Sequence, residues 1–503
     1  MTIPAPQQPV AALLRCLTGA DPIETHVSAI FVGPDQALKL KKAVRLGFLD
    51  FTSLAARERF TRRELEINQP FAPGLYRDVQ PVVRQPDGGL ALGGAGEVPG
   101  EVVDWVLRMA PVPAGDFLDA VAARGGLTPD MLDQMADAAA ALHAASPVLR
   151  DVDAPAAMAA VLAGNRQAAL AAGLPAARVE AWTAAAAAML GRISPLLAAR
   201  AAAGKVRRCH GDLHLKNLCL WEGRVTAFDA LEFDEELASI DTGYDLAFLL
   251  MDLEHRVGRP AANRVMNRYV ARSGDAGMTG ALPFWLSQRA MIRAHVEAAR
   301  ARGSGQDGGA LAYLTLAEEM LRPAPPRLVA VGGLQGTGKS RLARALAPGL
   351  GAAPGALVLR SDEIRKRRHG LAPEERLPAE AYTAEESAAV FAELAALAAE
   401  AARGGQAVIA DAAFLRPEER AQIESAAASA GVPFTGIWLT APLPVLRARI
   451  AARRGDASDA TIAVLEAAAA RDIGPMSWQE VDASGDPIPA ARMLLRLPPP
   501  GSC

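Results

Sequence analysis

The stretch Gly333-Leu-Gln-Gly-Thr-Gly-Lys-Ser340 decides the fold of the C-terminal part of this chain. It fits the pattern G-x-x-x-x-G-K-[ST], and its members are Gly333, Leu334, Gln335, Gly336, Thr337, Gly338, Lys339 and Ser340. An apolar run, Leu328–Val331, precedes the stretch, and a run with helical character, Arg341–Leu346, follows it. This order of strand, loop and helix predicts a phosphate-binding loop at the start of a parallel α/β domain.

The chemistry of such a loop is specific. Glycines allow successive backbone N–H groups to turn around an anion, and the N-terminus of the next helix adds the positive end of its dipole. We expect Lys339 to bridge the β- and γ-phosphates of ATP and the Ser340 hydroxyl to be a ligand of Mg²⁺. The pattern therefore predicts ATP and Mg²⁺ as cofactors.

Three residues beyond the loop favour a kinase over a mechanical ATPase. Asp362 ends the apolar run that starts at Leu357, and an acid at the end of a parallel strand faces the ligand crevice. We expect Asp362 to accept a proton from an acceptor hydroxyl and Arg365, one helical turn later, to hold that acceptor. Asp411 ends another apolar run and would lie near the water shell of Mg²⁺. A helix cap, a solvated arginine and an ordinary strand-end turn are the alternatives.

Two sets of basic residues have functional and structural interpretations. Arg449 and Arg453 are four residues apart, so they share a helix face and could close as a lid over the transferred phosphate. A plain basic helix explains them nearly as well. The run Arg365–Arg368 would fit a kinase that acts on nucleic-acid ends, although a solvated basic helix is the simpler explanation.

These residues give the region 328–495 a family resemblance. It resembles the small P-loop kinases that are grouped with polynucleotide kinase and zeta-toxin-like proteins. The resemblance implies phosphorylation of hydroxyl groups on small molecules or nucleic-acid ends.

A second motif, His210-Gly-Asp-Leu-His-Leu-Lys-Asn217, lies in the N-terminal part. Asp212 and Asn217 are five residues apart, and Asp229 follows the next apolar run. This spacing is that of a kinase catalytic loop. The sequence resembles the aminoglycoside phosphotransferase and choline kinase branch. The resemblance implies that Asp212 is the catalytic base, that Asn217 and Asp229 bind Mg²⁺, and that Asp245 supports the loop. A histidine-rich turn between helices is the alternative.

A lysine and a glutamate would complete this site. Lys39 matches the strand lysine that binds the α- and β-phosphates, and Glu64 from the following helix would pair with it. Lys41 and Glu66 remain alternatives, as do a solvated strand and a surface helix. No G-x-G-x-x-G precedes Lys39, no glycine follows Asp229, and Glu232 adds a carboxylate without an assigned role.

Composition limits the class of protein. The 503 residues are 51% hydrophobic and 22% charged, with a net charge of −3, so the chain is globular and has no general field for nucleic acid or anionic membrane. From the first residues we expect no signal peptide, and because the sequence has no run of about 18 apolar residues, we expect no membrane span. Its four scattered cysteines suggest reduced thiols in the cytoplasm.

The domain order follows from these motifs. We predict a bilobal, protein-kinase-like domain over residues 1–322, with a small α+β lobe before a mostly helical region. A proline-rich linker at 323–327 would lead to a P-loop NTPase domain with a parallel sheet at 328–495, and a tail at 496–503. The fold class is thus α/β and α+β in two domains.

The whole chain, from about residue 20 to 495, resembles a bacterial family of bifunctional aminoglycoside phosphotransferase/ATP-binding proteins. The likeness includes residues 39–51 and 458–460. We therefore expect two kinase-type modules that transfer the γ-phosphate of ATP to hydroxyl acceptors. In the alternative, only the P-loop module is catalytic and the N-terminal module binds or regulates. A small-molecule acceptor is favoured over a nucleic-acid end, and the oligomeric state stays open.

Overall fold

A computed structural model describes residues 2–46, 49–93, 100–304, 309–452, 459 and 461–497. The chain divides into two compact units. Unit 1 consists of residues 1–150 and 204–245, and unit 2 consists of residues 151–203 and 246–503. Each unit contains a sheet of its own and one set of the predicted motif residues.

Unit 1 is built around an antiparallel sheet. Its strands are β1 Ile23–Glu24, β2 Ser28–Val32, β3 Ala37–Lys41, β4 Arg45–Leu46, β5 Leu49–Asp50, β6 Tyr76–Arg84, β7 Leu90–Leu92, β8 Glu101–Met109, β9 Val206–Arg208, β10 Leu218–Trp221, β11 Arg224–Ala227 and β12 Ser239–Asp241. Its helices are α1 Gln8–Thr18, α2 Leu54–Asn68, α3 Leu118–Ala123, α4 Pro129–Ala145 and α7 Glu235–Ala238. Six strands pair in the order β1-β2-β3-β8-β6-β7, so the predicted α+β lobe is confirmed.

Strand β3 separates the core of unit 1 from its site, because side chains of a strand alternate between the two faces of the sheet. Leu38 and Leu40 lie in an apolar core with Leu14 of α1. Lys39 and Lys41 lie on the opposite face of the sheet, and both contact Glu64 of α2. Helix α2 begins at Leu54 after Ser53, whose side chain accepts the N–H of Ala56 and caps the helix.

Unit 2 joins a helical region to a parallel sheet. The strands are β13 Leu328–Gly333, β14 Leu357–Arg360, β15 Val408–Asp411, β16 Phe434–Thr440 and β17 Gln479–Asp482. The helices are α5 Ala154–Ala171, α6 Ala176–Ala202, α8 Thr242–Arg256 (which begins in unit 1), α9 Arg259–Ser273, α10 Leu282–Ser304, α11 Ala310–Met320, α12 Lys339–Leu346, α13 Ser361–Arg368, α14 Ala384–Arg403, α15 Pro417–Ser429, α16 Leu443–Ala451, α17 Ile462–Ala469 and α18 Ile488–Leu494. The strand order is β14-β15-β13-β16-β17, all parallel, as predicted for a P-loop domain.

The edge strand β14 is covered by α9 within unit 2. Asn263 and Asn267 donate side-chain amide N–H groups to the Ala356 carbonyl at 3.0 and 3.2 Å, and the Val358 N–H donates to Asn267 Oδ1 at 2.6 Å. Two asparagine side chains thus take the place of a neighbouring strand at an edge that would otherwise be open. Because these bonds join residues before and after the linker, the domain division at 323–327 stays a prediction.

Candidate phosphoryl-transfer sites

An ion-pair cluster in unit 1, buried except at Asp229, contains the predicted lysine and glutamate. Lys39 Nζ lies 2.6 Å from Glu64 Oε1 and 2.6 Å from Asp229 Oδ1. Lys41 Nζ lies 2.7 Å from Glu64 Oε2 and also pairs with Glu232. We call these five residues, Lys39, Lys41, Glu64, Asp229 and Glu232, the lysine–carboxylate cluster. Glu64 is the carboxylate shared by both lysines.

The electrostatics of the cluster keep its central groups charged. Burial would raise the pKa of Glu64, but the ammonium groups of Lys39 and Lys41 outweigh burial and lower that pKa to about 2. Burial likewise opposes the charge of Lys39, yet Asp229 and Glu64 raise the pKa of Lys39 well above its ordinary value. Glu66, the alternative from the sequence, is exposed and pairs with Arg63 at 2.9 Å. The geometry thus places Glu64 at the site and Glu66 on the surface.

The loop that carries the second motif is fixed by Asp245, which is fully buried. Asp245 Oδ1 accepts the N–H of Gly211 at 2.9 Å, and its Oδ2 accepts the N–H of His210 at 3.1 Å. His143 Nε2 lies 3.0 Å from the same Oδ2. Asp245 therefore supports this loop, as the resemblance implied, while the contribution of His143 on α4 was not expected from the sequence.

Asp212 and Asn217 lie side by side at the end of this loop. Asn217 Nδ2 donates to the backbone carbonyl of Asp212 at 2.9 Å and to its Oδ2 at 3.0 Å. The Phe228 N–H donates to the carbonyl of Asn217 at 3.1 Å, which joins the loop to the segment that carries Asp229. These described contacts use the amide nitrogen of Asn217, so its Oδ1 and the Asp229 carboxylate offer the hard oxygen ligands that suit Mg²⁺.

The phosphate cover of unit 1 differs from a glycine-rich loop. Strands β1 and β2 are joined by the short turn at residues 25–27, where Lys42 Nζ donates to the Thr25 carbonyl at 2.7 Å and pairs with Glu24 at 2.6 Å. The next turn closes between Gly33 and Gln36, and a Cβ at Gly33 would lie 3.0 Å from the backbone of Thr18. Both turns are therefore tight, which agrees with the absence of a G-x-G-x-x-G motif before Lys39.

A cavity of about 440 Å³ in unit 2 collects the residues of the other predicted site. The predicted residues that line it are Gln335, Gly336, Gly338, Lys339, Ser340, Asp362, Arg365 and Asp411. Lining residues that were not predicted as site residues are Arg341, Arg344, Ser361, Tyr382, Phe391, Ala412, Ala413, Asp459 and Val464. Residues up to 129 positions apart along the chain thus meet at the carboxyl ends of parallel strands, where α/β folds bind ligands.

The P-loop of this cavity has the backbone that phosphate binding requires. Gly333 has a φ of +138°, and a Cβ there would lie 2.6 Å from the carbonyl oxygen of Leu439. Gly338 precedes α12 with a φ of +89°, and a Cβ there would meet no atom within 4 Å among the described residues. Lys339 Nζ donates to the carbonyls of Gly333 and Leu334 at 2.9 and 3.0 Å. The open space beside Gly338, the helix N-terminus and the Ser340 hydroxyl fit a Mg-bound triphosphate.

Asp411 is held by a buried arginine that the sequence analysis missed. Arg360 Nε lies 3.1 Å from Asp411 Oδ2, and Arg360 Nη1 lies 3.0 Å from Glu363 Oε1. Burial raises the pKa of Glu363, although Arg360 opposes that rise. The signal was present in the sequence, because a charged residue that ends an apolar strand run needs a buried partner.

Arg365 lies at the cavity with its guanidinium oriented by neighbours. Its Nη1 donates to the Ala381 carbonyl at 2.8 Å, its Nη2 donates to Ser387 Oγ at 3.3 Å, and its Cζ lies 4.9 Å from the ring centroid of Tyr382. A planar cation held in this way can present its remaining donors to a bound acceptor.

Two further members of the basic run Arg365–Arg368 are neutralised by acids of α14, and Lys366 pairs with Asp459 at 3.5 Å. Arg367 pairs with Glu393 at 2.8 Å, and Arg368 pairs with Glu386 at 2.7 Å. A basic helix that binds nucleic acid would keep its charges uncompensated. These ion pairs therefore weaken the interpretation of the run as a nucleic-acid surface.

Arg449, on α16, lies outside the set of described residues that line the cavity. Its guanidinium donates to the carbonyls of Ala483 and Ser484 at 2.8 and 2.9 Å and lies 3.5 Å from that of Gly336. Arg453 lies outside the described residues. A lid function for these two arginines stays a prediction.

The two sites define a class of protein: a chain with a kinase-like catalytic loop in unit 1 and a P-loop nucleotide site in unit 2. Comparison with known families agrees with this class. Residues 91–284 match the model of the phosphotransferase enzyme family, and residues 328–472 match the model of an AAA domain. The chain belongs to the family of bifunctional aminoglycoside phosphotransferase-like/P-loop ATP-binding proteins, and it is an ATP-dependent phosphotransferase whose acceptor is not identified.

Two proteins and one solved structure illustrate what this chain is similar to. An uncharacterised protein of Mycobacterium tuberculosis is 30% identical over 479 residues, which cover 92% of each chain. An adenylyl-sulfate kinase of Myxococcus xanthus is 38% identical over 120 residues, which cover 23% of this chain and 59% of that protein. Among solved structures, choline kinase from Cryptosporidium parvum is 9% identical, covers 62% of this chain and 95% of its own, and has a TM-score of 0.40.

Kinase families generally use ATP and Mg²⁺, in keeping with the predicted cofactors.

Within the part of the chain that the structure describes, no helix combines the length and the apolar character needed to cross a membrane.

Proposed function

We propose that both modules transfer the γ-phosphate of Mg·ATP to hydroxyl acceptors. The observation that carries the proposal is the grouping of the required side chains in each unit. In unit 1, the lysine–carboxylate cluster is joined by the Phe228–Asn217 hydrogen bond to the loop of Asp212. In unit 2, the P-loop and the predicted acid and arginine line one cavity.

In unit 1, we assign to Asp212 the orientation and deprotonation of the acceptor hydroxyl. Asn217 and Asp229 would hold Mg²⁺, which neutralises charge that develops on the phosphates. Lys39 would contact the α- and β-phosphates and would exchange its bond to Asp229 for them when nucleotide binds. Glu64 would keep Lys39 in place, since its carboxylate is buried between two ammonium groups.

In unit 2, Lys339 would exchange its bonds to the loop carbonyls for contacts with the β- and γ-phosphates. Ser340 would be a ligand of Mg²⁺, and Asp411 would hold a water of that ion while Arg360 fixes its orientation. Asp362 would take the proton of the acceptor hydroxyl, and Arg365 would bind the acceptor.

A small molecule is the proposed acceptor of unit 2. The ion pairs of Arg367 and Arg368 argue against a nucleic-acid end. The relative from Myxococcus xanthus, named as an adenylyl-sulfate kinase, supports a small acceptor. A cytoplasmic location is part of the proposal, because ATP is the donor and the described cysteines, Cys16, Cys209 and Cys219, are not joined in disulfides.

A second candidate is that only the P-loop module is catalytic and unit 1 binds or regulates. Two observations favour it. The turn at residues 25–27 leaves no glycine-rich cover for a triphosphate, and Lys39 is bonded directly to the carboxylate expected to bind Mg²⁺.

Nucleotide titration of the intact chain separates the two candidates. With Mg²⁺ and a non-hydrolysable ATP analogue, two active modules are expected to bind two equivalents. Lys339→Ala should remove one equivalent, because the cation that meets the phosphates is lost, and Asp229→Ala should weaken only the other. A single equivalent that Lys339→Ala abolishes would contradict nucleotide binding by unit 1 and favour the second candidate.

A further inference from the structure

Four consecutive residues that follow β11, Asp229 to Glu232, are each held by a different partner in unit 1. We call residues 229–232 the metal-ligand loop. The contacts are Asp229 N–H to Tyr76 Oη at 2.9 Å, Ala230 N–H to Asn68 Oδ1 at 2.9 Å, Leu231 N–H to the His210 carbonyl at 2.9 Å, and Glu232 to Lys41 Nζ. The loop is thus tied to α2, to the β-sheet and to the catalytic loop within four residues.

The backbone of this loop needs such support. Asp229 has a φ of +61°, a left-handed conformation that costs a residue other than glycine of the order of 1 kcal/mol or more. Strain of this kind persists only where the surroundings determine the conformation. Since no glycine stands at Asp229 or directly after it, the contacts of residues 229–232 must hold the carboxylate where it is.

The Glu232 contact differs from the other three because it is an ion pair between buried groups. Lys41 is 2% exposed at its side chain and Glu232 is 7% exposed. Lys41 also holds the second oxygen of Glu64 at 2.7 Å, so it bridges the loop to α2. Either charge left alone at this depth would be strongly unfavourable.

Lys41 also balances the negative charge of the cluster. The lysine–carboxylate cluster holds three carboxylates and two ammonium groups. With Lys41 removed, Glu64, Asp229 and Glu232 would compete for Lys39 alone. With Lys41 present, Glu64 and Glu232 have a cation of their own, so Lys39 can leave Asp229 for a phosphate.

We propose that Lys41 and Glu232 are positioning residues that hold the Asp229 carboxylate for Mg²⁺ and leave Lys39 available to nucleotide. The proposal rests on the proposed function of unit 1. It predicts a defect in the Mg²⁺ dependence of nucleotide binding that is separate from any loss of stability.

The experiment uses the intact chain with Lys339→Ala, so that unit 1 is the remaining nucleotide site. Binding of a non-hydrolysable ATP analogue is measured over a range of Mg²⁺ concentrations. Glu232→Gln is expected to raise the Mg²⁺ concentration at half-saturation by about tenfold or more, the range for loss of a group that orients a metal ligand. Binding without Mg²⁺ should change little. Glu58→Gln, which removes an exposed ion pair with Arg62, is the matched control and should behave as the parent chain.

A double variant separates positioning from folding. Lys41→Met with Glu232→Leu replaces the buried ion pair by apolar groups, a change that often preserves or improves stability. If the pair positions Asp229, this variant folds and still requires more Mg²⁺. Normal Mg²⁺ dependence in the folded double variant, with Asp229→Ala defective, would overturn the inference. Absence of Mg-dependent binding in the parent chain would instead refute the proposed function of unit 1 and the inference with it.

Discussion

Replacement of Glu64 by glutamine tests the electrostatic centre of unit 1. Glutamine has nearly the same shape, but its amide N–H₂ would face one of the two ammonium groups that now bind Glu64 at 2.6 and 2.7 Å. A pKa of about 2 in place of the ordinary 4.5 corresponds to roughly 3 kcal/mol of net stabilisation of the charged carboxylate. We therefore expect Glu64→Gln to destabilise unit 1 by about 3 kcal/mol at pH 7, close to the cost of breaking a buried pair.

The pH dependence has a definite sign. The pKa of Glu64 is lowered in the folded protein, so its contribution is fully present above about 4.5 and is lost as the pH falls toward about 2. The stability difference between the natural chain and Glu64→Gln should therefore be constant near neutrality and should shrink as the pH falls below about 4.5.

Hydrogen exchange is the appropriate assay, because a chain with two units need not unfold in one step. Peptides that cover β3 and α2 report the free energy of opening of unit 1 itself. Glu66→Gln is the matched control, since Glu66 forms an exposed pair with Arg63 and such a pair contributes only about 0–1 kcal/mol. Equal effects of the two substitutions, or a difference that stays constant down to pH 3, would refute the assignment of Glu64.

Three further predictions concern the other parts of the molecule. Asp212→Asn should leave nucleotide binding intact and lower phosphotransfer by unit 1 by about 10²-fold or more, measured in a Lys339→Ala chain with a working acceptor. Unchanged phosphotransfer would show that Asp212 is not the catalytic base. Gly338→Ala should abolish nucleotide binding by unit 2. Gly431→Ala, at a similar positive φ with open space around it, is the control and should affect stability alone. Equal nucleotide binding by the two variants would contradict the assignment of the loop around Gly338 as the phosphate-binding loop. Asn267→Leu should leave the Val358 N–H without its partner, destabilise β14 by about 1–3 kcal/mol and speed its hydrogen exchange; unchanged exchange would show that α9 does not support this edge.

The two phosphate-handling loops were predictable from the sequence because the interactions that form them join residues close together in the chain. The P-loop and the catalytic loop depend on residues within eight positions of each other, and their backbone turns follow from glycine and from helix termini. Apolar runs likewise predicted β13, β14 and β15 and the parallel sheet. Strand β6 was not predicted, and its Pro81 is unusual within a strand. In the structure β7 pairs only with residues 82–84 of β6, so the proline stands just beyond that pairing.

Sequence alone determined which residue types phosphoryl transfer would need, and tertiary structure decided which copies of those residues lie together. The choice of Glu64 over Glu66 depends on which face of α2 meets β3, since both glutamates lie on the same helix. The pairing of Lys41 with Glu232 joins residues 191 positions apart, and that of Arg360 with Asp411 joins residues 51 apart. A buried charge shows in a sequence only as a charge; its partner is chosen when the chain packs, because an unpaired charge in the interior is too costly to keep.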